Sequence, residues 1–235
     1  MIVAGVTLND SRDCVEIAGE HTELFAGVGV HPQDLGSGLI EAELVQLDGL
    51  ANSPDVIVMS EIGLDYQERS PDRSLQKSAF REQLEIARSH GLPIMWHMRE
   101  STEDCLAILK KEHVEELGGA AHYFQGNWQA ATAVLDLGCK ISLAKPLLRL
   151  PELQDVATRL PLSEIVLETD SYPQPFKKNR QKWTEPCDIP LVAAKLAELK
   201  GIEVAEVESV TTANALRMFA GRSDGILSAL DTTRH

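Results

Sequence analysis

The sequence predicts an α/β chain folded as a (β/α) barrel of the TIM type. Two observations predict it. First, strand-like and helix-like segments alternate over most of the 235 residues, which favours a parallel sheet covered by helices. Second, several strand-like runs end in an imidazole or a carboxylate: Val28-Gly29-Val30-His31, Val56 to Glu61, Pro93-Ile94-Met95-Trp96-His97, Ala120-Ala121-His122 and Ile165 to Asp170. An open doubly wound sheet gathers its ligands at one switch point. These residues come from strands far apart in order, and a closed barrel brings all such ends to one mouth.

The elements follow in order. A strand is expected near 2–7, then a helix to Glu20 capped by Ser11, and a strand at 25–31. Leu39, Leu44 and Leu47 give helical spacing to 38–51. The run Val56-Ile57-Val58-Met59 is apolar and β-branched and reads as a buried strand at 55–61, running into Glu61-Ile62-Gly63-Leu64-Asp65-Tyr66. A long helix over 70–89 puts Leu75, Phe80, Leu84 and Ala87 on one face and stops at Gly91. Strands near 93–98, 120–124, 140–144 and 165–170 alternate with helices at 101–117, 127–137 and 151–160. An irregular, proline-punctuated stretch (171–186) precedes two closing helices at 188–199 and 203–219. One barrel domain is expected over 1–220, with a loosely held tail over 221–235. A TIM barrel has eight strands and the sequence offers seven, so the first strand and its helix are expected to be missing.

Composition narrows the function. A net charge of −14 argues against a protein that holds nucleic acid through a broadly basic surface. Cys14, Cys105, Cys139 and Cys187 are far apart, which suits free thiols in a reducing cytoplasm rather than a disulfide framework or a zinc knuckle. No apolar stretch is long enough to span a bilayer and no signal peptide is evident.

Glu61, His97, His122 and Asp170 form the candidate site. A single strand-end histidine is more often a structural hydrogen-bonding group, but four such residues at matching positions point to a metal centre. Imidazole with carboxylate suits zinc, manganese or magnesium, and a carboxylate such as Glu61 can bridge two cations. The stretch from Pro175 to Pro186 carries Lys177, Lys178, Arg180 and Lys182 with Phe176 and Trp183 interleaved. Charge for phosphates and rings for bases suit a nucleic-acid strand; the plain alternative is a solvated loop.

Together, Gly29-Val30-His31-Pro32, Glu61 to Tyr66, His97-Met98-Arg99-Glu100, His122-Tyr123-Phe124-Gln125-Gly126, Glu168-Thr169-Asp170-Ser171 and the closing Thr212-Ala213-Asn214-Ala215-Leu216-Arg217-Met218-Phe219 resemble the TatD family of metal-dependent deoxyribonucleases. The resemblance implies two divalent cations and hydrolysis of phosphodiester bonds in DNA. It implies that Glu61 bridges the metals, that His97 and His122 complete one metal site, and that Asp170 binds the other metal and holds or deprotonates the attacking water. Arg99 would meet a substrate phosphate, or else pair with a nearby carboxylate. His31 and Tyr66, with Lys177, Lys178 and Arg180 of the basic loop, would line the substrate path, although His31 could instead order the loop at Pro32. The family opens with a strand ending in His-x-His that binds the first metal, and no His-x-His occurs here. The site shared by Glu61 and Asp170 is therefore expected to lack two ligands and hydrolysis to be impaired, while the site of Glu61, His97 and His122 is expected to be better preserved. Met1 aligns with the second strand. Residues upstream, imperfect closure, or self-association at an open seam are the expectations that follow. The other functional readings are a barrel that binds DNA or nucleotide without turnover, and a metal hydrolase of small molecules.

Overall fold

A computed structural model describes residues 1–172 and 183–222. Seven parallel strands form one curled sheet in strict chain order: β1 (Ile2–Ala4), β2 (Phe25–Val28), β3 (Val56–Asp65), β4 (Ile94–Arg99), β5 (Gly119–Ala121), β6 (Lys140–Leu143) and β7 (Ile165–Leu167). Helices cover its outer face: α1 (Leu8–Glu20), α2 (Glu41–Ala51), α3 (Arg73–His90), α4 (Thr102–Lys111), α5 (Trp128–Asp136), α6 (Pro151–Arg159), α7 (Ile189–Lys200) and α8 (Val204–Met218). Among the described residues β1 pairs only with β2 and β7 only with β6. An apolar cavity of about 440 Å³ is lined by Ile2 and Leu167 of the two edge strands, by Phe25 of β2 and Ile57 of β3, and by Ala215 and Phe219 of the closing segment. The main core packs the strands against the helices around Val28, Met59, Ile62, Phe80, Leu84 and Trp96. No helix among the described residues is long and apolar enough to cross a membrane.

Helix ends follow local chemistry. Thr7, not Ser11, caps α1, accepting the Asp10 amide at 3.1 Å. Ser11 lies inside the helix, fully buried, and its hydroxyl exchanges two hydrogen bonds with the Gly29 backbone. α2 begins later than expected, at Glu41, behind two left-handed glycines, Gly36 and Gly38. Asp72 caps α3, and left-handed Gly91 ends it. The single helix expected over 101–117 is two pieces, because His113 turns left-handed between α4 and a 3-10 turn at Val114–Glu116. Asn127 caps α5 through its side chain. In α8, the Asn214 amide donates to the Leu162 and Ile165 carbonyls at 2.8 and 2.7 Å, tying the closing helix to the root of β7.

Strand limits also differ from expectation. Most strands are shorter, but β3 runs on to Asp65, so Glu61 lies within a strand rather than at its end. The extension needs Gly63. It pairs with His97, and a Cβ there would collide with the His97 carbonyl oxygen.

Candidate metal centre

Four elements converge at the carboxyl mouth of the sheet. Glu61 stands in β3 where the register with β4 shifts between Met59 and Ile62, an irregularity of the kind that re-aims a side chain. His97 stands in β4. His122 follows β5 directly, its amide bonded to the Trp96 carbonyl. Asp170 lies three residues past β7, with a left-handed backbone (φ 52°), and Tyr123 beside His122 shares that strain (φ 45°). Each such residue costs about 1–3 kcal/mol and clusters at sites where side-chain aim matters.

Glu61 is the hub. One oxygen lies 3.1 Å from His122 Nε2; the other lies 4.0 Å from His97 Nδ1 and 3.8 Å from His31 Nε2. Asp170 Oδ1 is 4.0 Å from His122 Nε2. Two sets of donor atoms therefore share Glu61: His31, Glu61 and His97, and Glu61, His122 and Asp170, with the atoms of each set within 4.8 Å of one another. The pairing differs from the one the resemblance implied, which joined His97 with His122. His31 does both things weighed for it. Its Nδ1 accepts the Gln33 amide at 3.2 Å, ordering the loop, and its Nε2 faces Glu61.

Behind these groups lies a second ring of polar contacts. Asp65, fully buried, receives His97 Nε2 at 2.9 Å, Gln33 Nε2 at 3.0 Å, and the Gln67 amide and Ser70 hydroxyl at 2.9 Å each. Glu168 receives His122 Nδ1 at 2.7 Å on one oxygen and the Tyr123 amide on the other. From α3, buried Gln76 and Gln83 grip the backbones of Asp65 and Val30. Neither glutamine was singled out from sequence. The available signal was two polar residues on the apolar face that carries Phe80 and Leu84.

The electrostatics suit cation ligands. Burial, with His97 adding, depresses His31 to about 4, and burial also lowers His97, so both imidazoles are neutral near pH 7. Burial would raise Glu61, but His122 above all, then His31 and His97, bring it down to about 2. Burial likewise opposes a charge on His122, yet Glu168 and Glu61 hold its imidazole well above the ordinary value. Burial, aided by Glu61 and Glu168 against the pull of His122, lifts Asp170 to about 6.

The remaining expected residues divide. Arg99 ends β4, exposed, on the same strand face as His97 two residues earlier, and makes no ion pair among the described residues. Tyr66 turns its hydroxyl to Asp104 at 2.7 Å, with Arg73 over its ring at 4.3 Å, which leaves the ring half-buried against helices α3 and α4. Lys177, Lys178 and Arg180 lie outside the described residues.

The family model described as TatD related DNase matches residues 1–220. The metal-dependent hydrolase YabD of Bacillus subtilis is 31% identical over 224 residues, covering 93% of this chain and 86% of that protein. The 3'-5' ssDNA/RNA exonuclease TatD of Klebsiella pneumoniae is 28% identical over 233 residues, covering 96% and 88%. Among solved structures, the TatD homologue YjjV of Escherichia coli superposes with a TM-score of 0.83 at 27% identity, covering 93% of this chain and 85% of that one.

Proposed function

Because this chain belongs to the TatD-related DNase family and is a metal-dependent hydrolase, we propose that it cleaves phosphodiester bonds of DNA at a pair of divalent cations. Zinc, magnesium or manganese would be held by Glu61, His97, His122 and Asp170. The observation that carries this reading is Glu61, whose one oxygen faces His97 Nδ1 and whose other faces His122 Nε2, the atom that also lies near Asp170. The donors fit such ions: His97 is neutral, the bridging carboxylate is ionised, and the Nε2 proton that Glu61 holds on His122 would give way to a cation. Bound cations would lower the pKa of a water towards neutrality and neutralise charge on the phosphoryl oxygens.

The chain's own groups do the rest. Asp170 stands at the mouth, less buried than the imidazoles, where it can orient an entering water and take its proton. His31, its Nδ1 committed to accepting an amide, carries its proton on Nε2 and offers an N–H into the site. That donor can meet Glu61 or a substrate oxygen. Arg99 presents a planar guanidinium without a carboxylate partner among the described residues, the form suited to a phosphate. The Klebsiella relative is named for single-stranded DNA and RNA; a single strand with a free end is the substrate proposed here.

The test is a labelled single-stranded oligonucleotide incubated with the purified chain and Mg²⁺, Mn²⁺ or Zn²⁺, with and without chelator. Cleavage that needs metal, and that Asp170→Asn abolishes, is the expected result. Equal rates from the parent and that variant would overturn the assignment.

A further inference from the structure

Two carboxylates outside the proposed ligand set each hold one of its imidazoles. Asp65 Oδ2 lies 2.9 Å from His97 Nε2, and Glu168 Oε2 lies 2.7 Å from His122 Nδ1, and an ionised carboxylate can only accept in such a contact. The opposite nitrogens, His97 Nδ1 and His122 Nε2, are the ones that face Glu61. We propose that Asp65 and Glu168 are positioning residues that each hold the far N–H of one histidine, so that a cation meets His97 at Nδ1 and meets His122 at Nε2, displacing the proton held there to solvent and leaving the two rings in opposite tautomers. The proposal rests on the metal-centre reading above.

The chemistry is one of lone pairs. A neutral imidazole has one lone pair, on the nitrogen without the hydrogen, and the wrong tautomer turns an N–H at the ion. A carboxylate that accepts the far hydrogen fixes the tautomer and the ring orientation together. Both carboxylates are themselves immobilised. All four hydrogen bonds to Asp65 come from donors, so neither oxygen can be exchanged for an N–H without conflict. The second oxygen of Glu168 is held by the Tyr123 amide, whose left-handed backbone aims it there. The two positions are not equivalent. Free histidine favours the Nε2–H form, which His97 already needs. His122 needs the less favoured Nδ1–H form, so Glu168 has the larger effect on tautomer.

The substitutions follow. In Glu168→Gln the amide has one acceptor for two donors, His122 and the Tyr123 amide. In Asp65→Asn the amide hydrogens meet two of four donors. Zn²⁺ binding to the chelator-treated full chain is measured by calorimetry. Long-range 1H–15N spectra of the Zn²⁺-loaded parent report each tautomer directly, independent of any variant. The expected result is His97 as Nε2–H and His122 as Nδ1–H in the parent, with Zn²⁺ affinity about 10–100-fold weaker in each variant. His122 is expected to redistribute towards Nε2–H in Glu168→Gln. A parent that binds Zn²⁺ with His122 in the Nε2–H form overturns the proposal while leaving the metal centre standing. So do folded variants that bind Zn²⁺ as tightly as the parent. A parent that binds no Zn²⁺ removes the metal-centre reading itself, and the positioning role with it.

Discussion

Gln76 pairs with the backbone of Asp65 as a neighbouring strand would: its Oε1 accepts the Asp65 amide at 2.8 Å and its Nε2 donates to the Asp65 carbonyl at 2.7 Å. Both residues are fully buried. The amide of one helix residue thereby fixes the last residue of β3, and Asp65 in turn holds His97. Replacing Gln76 by Leu keeps the volume but leaves a buried N–H and a buried carbonyl without this partner. Each such loss costs about 1–3 kcal/mol, so a destabilisation of about 3 kcal/mol is expected in urea unfolding. A change under about 0.5 kcal/mol would show that water or another group substitutes for the amide.

Gly63 sits at φ 138° and faces the His97 backbone across the β3–β4 pairing. Alanine there adds both a disallowed conformation and a collision with a backbone atom that cannot rotate away. About 3 kcal/mol or more is expected, from strain and overpacking together. The check is a chemical unfolding curve, and a Gly63→Ala chain as stable as the parent would mean that the strands do not meet there.

The order of elements was legible because apolar runs and helical faces alternate cleanly, and the extent of α3, α5 and α6 came out within a few residues. Strand ends were not legible. The apolar run at 25–31 outlasts its pairing, since the Val30 backbone is held by the Gln83 side chain instead of by a strand. Conversely β3 continues through polar Glu61 because Gly63 lets β4 approach. Glu61, His97, His122 and Asp170 were legible as strand-associated ligand types, and they do converge. Glu168 was passed over because a lone carboxylate beside Asp170 gives no sign of which one faces the histidine. Only the left-handed turn at Asp170 and the close approach of His122 distinguish them.

The pH response of the metal-free chain follows from His31. Its folded value of about 4 lies below its ordinary 6.5, through burial first and His97 second. Between those values the unfolded chain takes up a proton that the folded chain refuses. The stability linked to this group is therefore complete above pH 6.5 and is lost as the pH falls towards 4. His31→Asn removes that step. In chelator, the stability difference between pH 7 and pH 4.5 is expected to be smaller in the variant than in the parent. An unchanged difference would place the His31 titration at its ordinary value.

Arg99 separates binding from folding. It is exposed at the end of β4 and has no carboxylate partner among the described residues, so its removal breaks no ion pair seen there. Arg99→Ala should leave the unfolding free energy within about 0.5 kcal/mol of the parent, as for an ordinary surface change. If the guanidinium grips a phosphate, losing a charged hydrogen bond worth about 1.5–3 kcal/mol lowers kcat/KM on an oligonucleotide by about 10–100-fold. Lysine keeps the charge but not the two-pronged geometry, and restores only part of that loss. Full restoration by Arg99→Lys would mean that charge alone matters at this position. An alanine variant with the parent's kcat/KM would remove Arg99 from the substrate path, while leaving Glu61 and its two donor sets untouched.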